Sequence, residues 1–548
     1  MAKKKYSTER KEERKEELRD DRDSDSRNRG PSNRRGTRNR SGRNSDSCVT
    51  GAKMKSSAIT PSHNDAGWHK DPRGIVESAL NISTYMPKGL PTWAYGWENQ
   101  IAAYESIPSV CAVHWIPTPI ASSTPQSPVS IAGQVLFQQI RKALNKTQTG
   151  YSFADPMIAY TCYLSLMVLV EEIKRDYGVM NTYSTVNLDY PNSIMHALGY
   201  SDVAIVDLRS NMANYRLRFN TIMYQLSTVF MPLETTLSDR YRWLAKNLWW
   251  DNNSPKAQIY LYSCDGFYVW DETSSDQGSM AKFKMFEPTE VEQSKLFSTK
   301  LDLLETLIAA IKGSDSYNQM MGDLMRAFPD AKSYDWENLS EDYMVTMGAD
   351  DVVLQQFHNL ETTPNNNGKW KCDITQDVTT QAILCTPTVE LAVDAIDPDV
   401  RVFLESGSYV LGDFETMNPS IDTIIENTHN KPLFTTIANG DTEMYDIVFH
   451  EDDFASEIMT HMVIWYAQKD AGGVEPIPTT YSGMKLNTTY IVSSKAEPGD
   501  ISSLISSLMK ISAFNWFPLL HIIIEASETQ DTTEWSSLPY GEIDNLIT

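Results

Sequence analysis

Paired cysteines, membrane-length apolar runs and catalytic signatures are all missing from this sequence of 548 residues. The six cysteines (Cys48, Cys111, Cys162, Cys264, Cys372, Cys385) are scattered and none forms a CxxC pair. The longest apolar run, Met157–Val170, covers 14 residues, is interrupted by Thr161 and Ser165, and is too short to span a bilayer. No apolar segment follows the basic N-terminus, so no secretory signal is expected, and the six N-x-[ST] sequons at Asn39, Asn81, Asn145, Asn252, Asn338 and Asn487 are expected to stay unused. A cytosolic, soluble, reduced protein is the expectation. There is no GxSxG elbow, HExxH, P-loop or GxGxxG. The first 47 residues hold only Met1, Ala2, Tyr6 and Leu18 as apolar residues, too few to offset the entropy of ordering them, so this arm is expected to be disordered when free.

What the arm does have is charge. Residues 1–55 carry 18 Lys/Arg against 10 Asp/Glu, a net +8; the whole chain sums to −24, so residues 56–548 carry −32. Within the arm, Tyr6–Asp25 mixes both signs and reads as a solvated tail with some helical tendency. Arg27–Arg43 (RNRGPSNRRGTRNRSGR) has seven arginines and no acid. Its Gly, Asn and Pro residues disfavour helix and leave the guanidiniums free for phosphate oxygens, which they can grip bidentately. Each such contact releases a counterion, giving salt-dependent affinity that is blind to base sequence.

The rest can build a core, since 41% of the chain is apolar. Tyr85–Pro128, rich in Pro and Trp, is expected to be extended chain lying over a neighbouring surface. Helices are expected over Gln134–Lys146, over Met157–Tyr177 (Asp155 as N-cap, Gly178 as stop), and over roughly Val206–Phe230 and Asp239–Trp250. The charged tail of the second, Glu171, Glu172, Lys174 and Arg175, is expected to reach solvent or an interface. Ala257–Cys264 and Phe267–Trp270 flank Asp265-Gly266 and predict a hairpin. A capping box at Thr289 and Glu292 opens a helix that runs to Gly313. Pro364–Gly368 reads as an exposed turn, Asp453–Lys469 and Asp500–Ile511 as helices, and Trp516–Ile524 as a buried strand.

Weaker motifs have bland explanations. His63 and His69 lack a third ligand nearby, and Asp394, Asp397 and Asp399 lack the spacing and glycine of an EF-hand. Glu451-Asp452-Asp453 fits the N-terminus of the expected helix, in which His461 would be a satisfied core histidine. Arg216 and Arg218 suit surface solvation better than RNA or an acidic neighbour, and Trp249-Trp250 and Trp465-Tyr466 suit packing better than base stacking.

The opening MAKKKYSTERKEERKEELRDDRD, the stretch RNRGPSNRRGTRNRSGR and the helix PMIAYTCYLSLMVLVEEIKR, on a long acidic and aromatic body, resemble an icosahedral RNA-virus coat protein, and more narrowly the picobirnavirus capsid proteins. The resemblance covers the whole chain but rests on architecture and texture, with no short diagnostic motif. It implies a mainly helical fold with some strand (α+β): a disordered RNA-binding arm over 1–55, a helix-rich shell domain over 56–250, a mixed projecting insertion over 251–450, and a return to the shell over 451–548. It implies homodimers closing into an icosahedral particle around viral RNA, made in the host cytoplasm and found in the virion. The RNA-binding residues it implies are Lys3, Lys4, Lys5, Arg27, Arg29, Arg34, Arg35, Arg38, Arg40 and Arg43, with no cofactor, no metal and no catalytic residue. Two other readings stand beside it: a polysaccharide hydrolase, which needs two carboxylates about 5–10 Å apart in an aromatic cleft, and a non-viral RNA-binding regulator.

Overall fold

The computed structural model describes residues 109–524, apart from short interior stretches of which the longest are 392–404, 470–478 and 493–503. All of them fall within one compact unit, Ser47–Thr548. Helix and strand are mixed, as expected.

Strand β1 (Val110–Pro117) is the centre of the fold. Val110, Cys111, Ala112, Val113, Trp115 and Ile116 are fully buried, the unbroken apolar run of a strand covered on both faces. Pro117 closes it. Helix α1 (Pro128–Leu144) opens at Pro128 rather than Gln134, because proline at the first position lacks only an N–H that the helix leaves unpaired anyway. Then come α2 (Ala154–Met180), α3 (Tyr190–Ala197), α4 (Asp202–Leu226) and α5 (Thr236–Lys246). Ser201 caps α4 by accepting from the Ala204 N–H, and Thr235 with Ser238 forms a capping box on α5.

Four strands follow, β2 (Leu248–Trp250), β3 (Ile259–Cys264), β4 (Gly266–Asp271) and β5 (Met280–Met285). The expected box at Thr289 and Glu292 caps a single turn, α6 (Glu290–Gln293), and the long helix α7 (Leu296–Lys312) starts just beyond it. The chain continues through α8 (Asp315–Ala327), α9 (Asp351–His358), β6 (Asn366–Lys371), β7 (Thr375–Gln376), β8 (Ile383–Leu384) and β9 (Thr388–Leu391). The last described elements are α10 (Ile421–Asn427), β10 (Phe434–Ala438), β11 (Tyr445–Phe449), β12 (Glu457–Lys469), β13 (Thr479–Leu486), β14 (Thr489–Val492) and β15 (His521–Ile524).

The main sheet has the order β13-β12-β1-β3-β2, with β1 and β3 parallel and the other pairs antiparallel. A second, antiparallel sheet runs β10-β11-β9-β6. Its own small core is Trp370, Cys372, Val389, Phe434, Ile447 and Phe449, set against Ile116 of β1 and Ile458 of β12. The larger core takes in β1, β3 and β4, helices α2, α7 and α8, and part of β12.

Several expectations are corrected here. Residues 457–469 form strand β12, not a helix, and His461 lies on it. Ile458, Thr460, Met462 and Ile464 are buried while His461, Val463 and Trp465 are half-buried, a period of two that suits a strand between β1 and β13. The expected hairpin is two strands of different sheets: β3 has β1 and β2 on its two edges, so β4 pairs with β5 instead. Asp265-Gly266 is a corner, and the glycine is there because Phe283 and Ile116 crowd the place a Cβ would take. The turn at Pro364 is cut short by β6, which starts at Asn366. Of Asp500–Ile511, only Leu504 and Ile505 lie among the described residues, and both are helical.

Helix α2 passes a composition test for a membrane span, yet it is buried from Ala154 to Val179 save for Met157 and Thr161. Its charged tail is buried too, contrary to expectation: Glu171, Glu172, Lys174, Arg175 and Asp176 are at most 5% exposed. Arg175 donates to the Tyr262 carbonyl (2.6 Å) and to Glu172 (3.3 Å), and Glu172 accepts from the Cys264 N–H at 2.7 Å. Asp176 accepts from Lys300 (2.6 Å) and Tyr200 (2.7 Å), while Glu171 takes Tyr334 and Arg242. Burial of unpaired charge costs several kcal/mol, so partners from β3, α5 and α7 must converge on this one helix end. Gly178 does not end the helix; it lets Val345 and Tyr343 lie close, where a Cβ would sit 2.6 Å and 2.9 Å from them.

Two stability predictions follow from this packing. Replacing Lys300 by Met leaves Asp176 buried beside a lone tyrosine and should cost about 3–5 kcal/mol in chemical unfolding, part of which Asp176→Asn restores in the double variant. Gly178→Ala should cost about 1–3 kcal/mol through overpacking against Val345.

Candidate functional site

Lys3, Lys4, Lys5, Arg27, Arg29, Arg34, Arg35, Arg38, Arg40 and Arg43 lie outside the described residues, as do His63, His69, Asp394, Asp397, Asp399 and Glu451-Asp452-Asp453. The remaining sequence candidates can be placed. Arg216 pairs with Glu341 at 3.3 Å, and Arg218 is clasped by Asp302 (2.5 Å) and Glu305 (2.9 Å), whose hydrogen bonds raise its guanidinium pKa further. Both meet acidic neighbours of their own chain, so neither presents an unpaired cation to phosphate. Trp249 is buried against Trp243 and Phe357, and Trp465 stacks on His196 with ring centroids 5.0 Å apart. These rings pack; they are not open platforms.

The five described cysteines are buried and unpaired, and burial pushes the Cys111 and Cys385 thiols up to about 12. That makes them poor nucleophiles. The carboxylates Glu171, Glu172 and Asp176 are sealed in the core with their own cations, and burial pushes the Glu172 carboxyl up against the pull of Lys300 and Arg175. A hydrolase would need such groups in an open cleft.

One constellation was not legible from spacing. His114 of β1 faces His461 of β12 across the ladder, and Asp265, at the corner between β3 and β4, reaches both. His114 Nδ1 lies 2.7 Å from Asp265 Oδ1, and His461 Nδ1 lies 2.9 Å from the Thr460 hydroxyl and 3.9 Å from Asp265 Oδ2. Two histidines and a carboxylate are a metal-binding set by type. Here, however, the rings are stacked 4.4 Å apart and only 10° from parallel. Lone pairs held in two parallel planes do not meet at one ion, so the trio is held by one hydrogen bond, between His114 and Asp265, and by the stacking of the two rings. Burial, aided by His114 and Lys485, holds the pKa of His461 far below its ordinary value.

His429 is a second neutral histidine. Arg240 donates to its Nδ1 (3.0 Å), its Nε2 meets the Tyr262 hydroxyl (2.6 Å), and burial followed by the nearby Arg240 brings its pKa down to about 3. Both histidines stay neutral when folded and charge near pH 6.5 when unfolded. Their contribution is therefore complete above about pH 6.5 and is lost as pH falls towards the folded value. Between pH 7 and pH 5 each should remove about 2 kcal/mol of stability. Unfolding midpoints measured across that range check this, and His429→Gln should flatten the slope.

Comparison with known proteins then gives the frame for these features. A model of the picobirnavirus capsid protein family matches residues 79–516. A capsid protein precursor of human picobirnavirus is 22% identical over 479 residues, covering 84% of this chain and 84% of that protein. The crystal structure of the picobirnavirus capsid shares the fold, with a TM-score of 0.63 and 18% identity over 84% of this chain and 90% of the other. The chain belongs to the picobirnavirus capsid protein family: it is a structural protein of the virion and not an enzyme.

Proposed function

We propose that copies of this chain pair as homodimers and close into an icosahedral shell around viral RNA, with the N-terminal arm reaching the RNA inside. The observation that carries this reading is the division of charge, +8 on residues 1–55 and −32 on the rest. Lys3, Lys4, Lys5, Arg27, Arg29, Arg34, Arg35, Arg38, Arg40 and Arg43 are the proposed phosphate contacts. An acidic shell repels the polyanion along its walls and leaves binding to the arms, and many weak arms on one long RNA bind by avidity. Family membership supports the shell, and assembly is taken to occur in the host cytoplasm.

Within the chain, the proposed shell comprises residues 56–250 and 451–548, joined by an insertion at 251–450. The strands β3 to β5, helices α7 and α8, and Ile374, Ile383 and Cys385 share the core of β1 and α2, whereas β6, β9, β10 and β11 pack a smaller core against Ile116 of β1 and Ile458 of β12. This supports a projecting part centred on β6, β9, β10 and β11, with the start of the insertion and the β7–β8 pair contributing to the shell.

Sedimentation of the full-length protein with absorbance at two wavelengths tests the proposal. The intact chain should run as uniform particles of megadalton mass that carry RNA, and a variant lacking residues 1–45 should run as particles without RNA. RNA retained after the deletion would overturn the role of the arm; a non-assembling intact chain would overturn the shell.

A further inference from the structure

Helix α4 spans 25 residues, about 37 Å at 1.5 Å per residue. Its inner face is conventional: Ala204, Ile205, Leu208, Phe219, Ile222, Met223 and Leu226 are buried. The outer face is not. Val203, Val206, Leu217 and Tyr224 are 63%, 60%, 69% and 80% exposed, and exposed Ser210, Ala213 and Thr221 fill the gaps between them. These positions recur at intervals of three and four, so they form one line along the helix. Single exposed apolar residues are ordinary; an aligned row the length of a helix is the mark of a contact surface.

No charge interrupts that row. Of the arginines beside it, Arg216 faces Glu341 and Arg218 faces Asp302 and Glu305, while Arg209 donates to the neutral Asn192 amide oxygen. The row itself therefore asks an incoming surface for apolar cover, with Arg209 at its flank the one named arginine that no acid of its own chain is shown to meet.

We propose that the outer face of α4, from Val203 to Tyr224, is a lateral contact between two copies of this chain. This rests on the shell reading above and locates one of its interfaces. Two bodies that each carry −32 repel wherever acidic surfaces meet, so close approach is favoured along an uncharged seam. Its size argues the same way. A helix face about 37 Å long and 10 Å wide offers roughly 370 Å², under half of the roughly 800 Å² per partner in a stable stand-alone pair. Such a contact is weak by itself, and it suits a subunit held by several neighbours at once, where weak contacts add. A solitary partner would get too little affinity from it.

The test uses the full-length protein carrying Leu217→Asp with Tyr224→Asp, beside Val291→Asp as a control at an exposed apolar site on α6. Surface changes of this kind should leave the unfolding midpoint of the dissociated subunit nearly unchanged. The α4 variant should then need at least tenfold higher concentration to form particles, while the control assembles like the parent. Equal assembly of the α4 variant, or equal loss in the control, would overturn the seam. As a second measure, Leu217→Cys should react with a maleimide in dissociated subunits and be protected in particles; equal labelling in both would also overturn it. Failure of the parent chain itself to assemble would instead remove the shell reading.

Discussion

About four turns of apolar helix, ending in a buried cluster of charge, set the terms for this fold. Glu171, Glu172, Lys174, Arg175 and Asp176 sit at the inner end of α2, out of reach of water. Ionised groups in that position are tolerated only when their partners are held in place. Arg175 and Glu172 grip the backbone of β3 at Tyr262 and Cys264, Asp176 grips Lys300 of α7, and Glu171 draws in Arg242 of α5. Helix, sheet and outer helices are thereby fixed relative to one another by directional bonds, where apolar packing alone would let them slide. A shell subunit needs such rigidity, since small errors in shape accumulate around a closed surface.

The same pairing explains how charge is divided. Among the described residues, Arg175, Arg216, Arg218, Arg240, Lys282 and Lys300 each face an acid of their own chain. These cations are engaged internally, and the surplus charge of the body is acidic. The arm reverses this, because Arg27–Arg43 contains no acid to answer its seven arginines. A polyanion is thus offered one attractive element and a repellent wall. The seam on α4 fits the same economy, being a surface where two acidic copies can touch without meeting charge.

The sequence was informative where one physical cause acted alone. Asp155-Pro156 followed by a long apolar run marked a buried helix, although Phe153 holds the cap position and Asp155 lies inside the first turn, and Thr289 with Glu292 could only cap one. It misled where two periods fitted the same letters. EIMTHMVIWYAQK places apolar residues at helical spacing and also alternates, and the edge of β1, which decides between them, lies far away in the chain. Asp265-Gly266 looked like a hairpin turn because local chemistry cannot reveal that both edges of β3 are already taken. The buried tail of α2 defied expectation for a similar reason, since Lys300 and Tyr334 are distant in sequence. For the site, the arm is an expectation from charge alone and lies outside the described residues, whereas the His114–Asp265–His461 cluster needed distant strands to be assembled before it existed at all.

The central claim is that an acidic, rigid body assembles into a closed container whose basic arms hold RNA. Electron microscopy of the purified full-length protein addresses it most directly. The account predicts uniform closed particles with internal density. Dispersed single chains, or particles whose interior is empty although RNA was present during assembly, would contradict it.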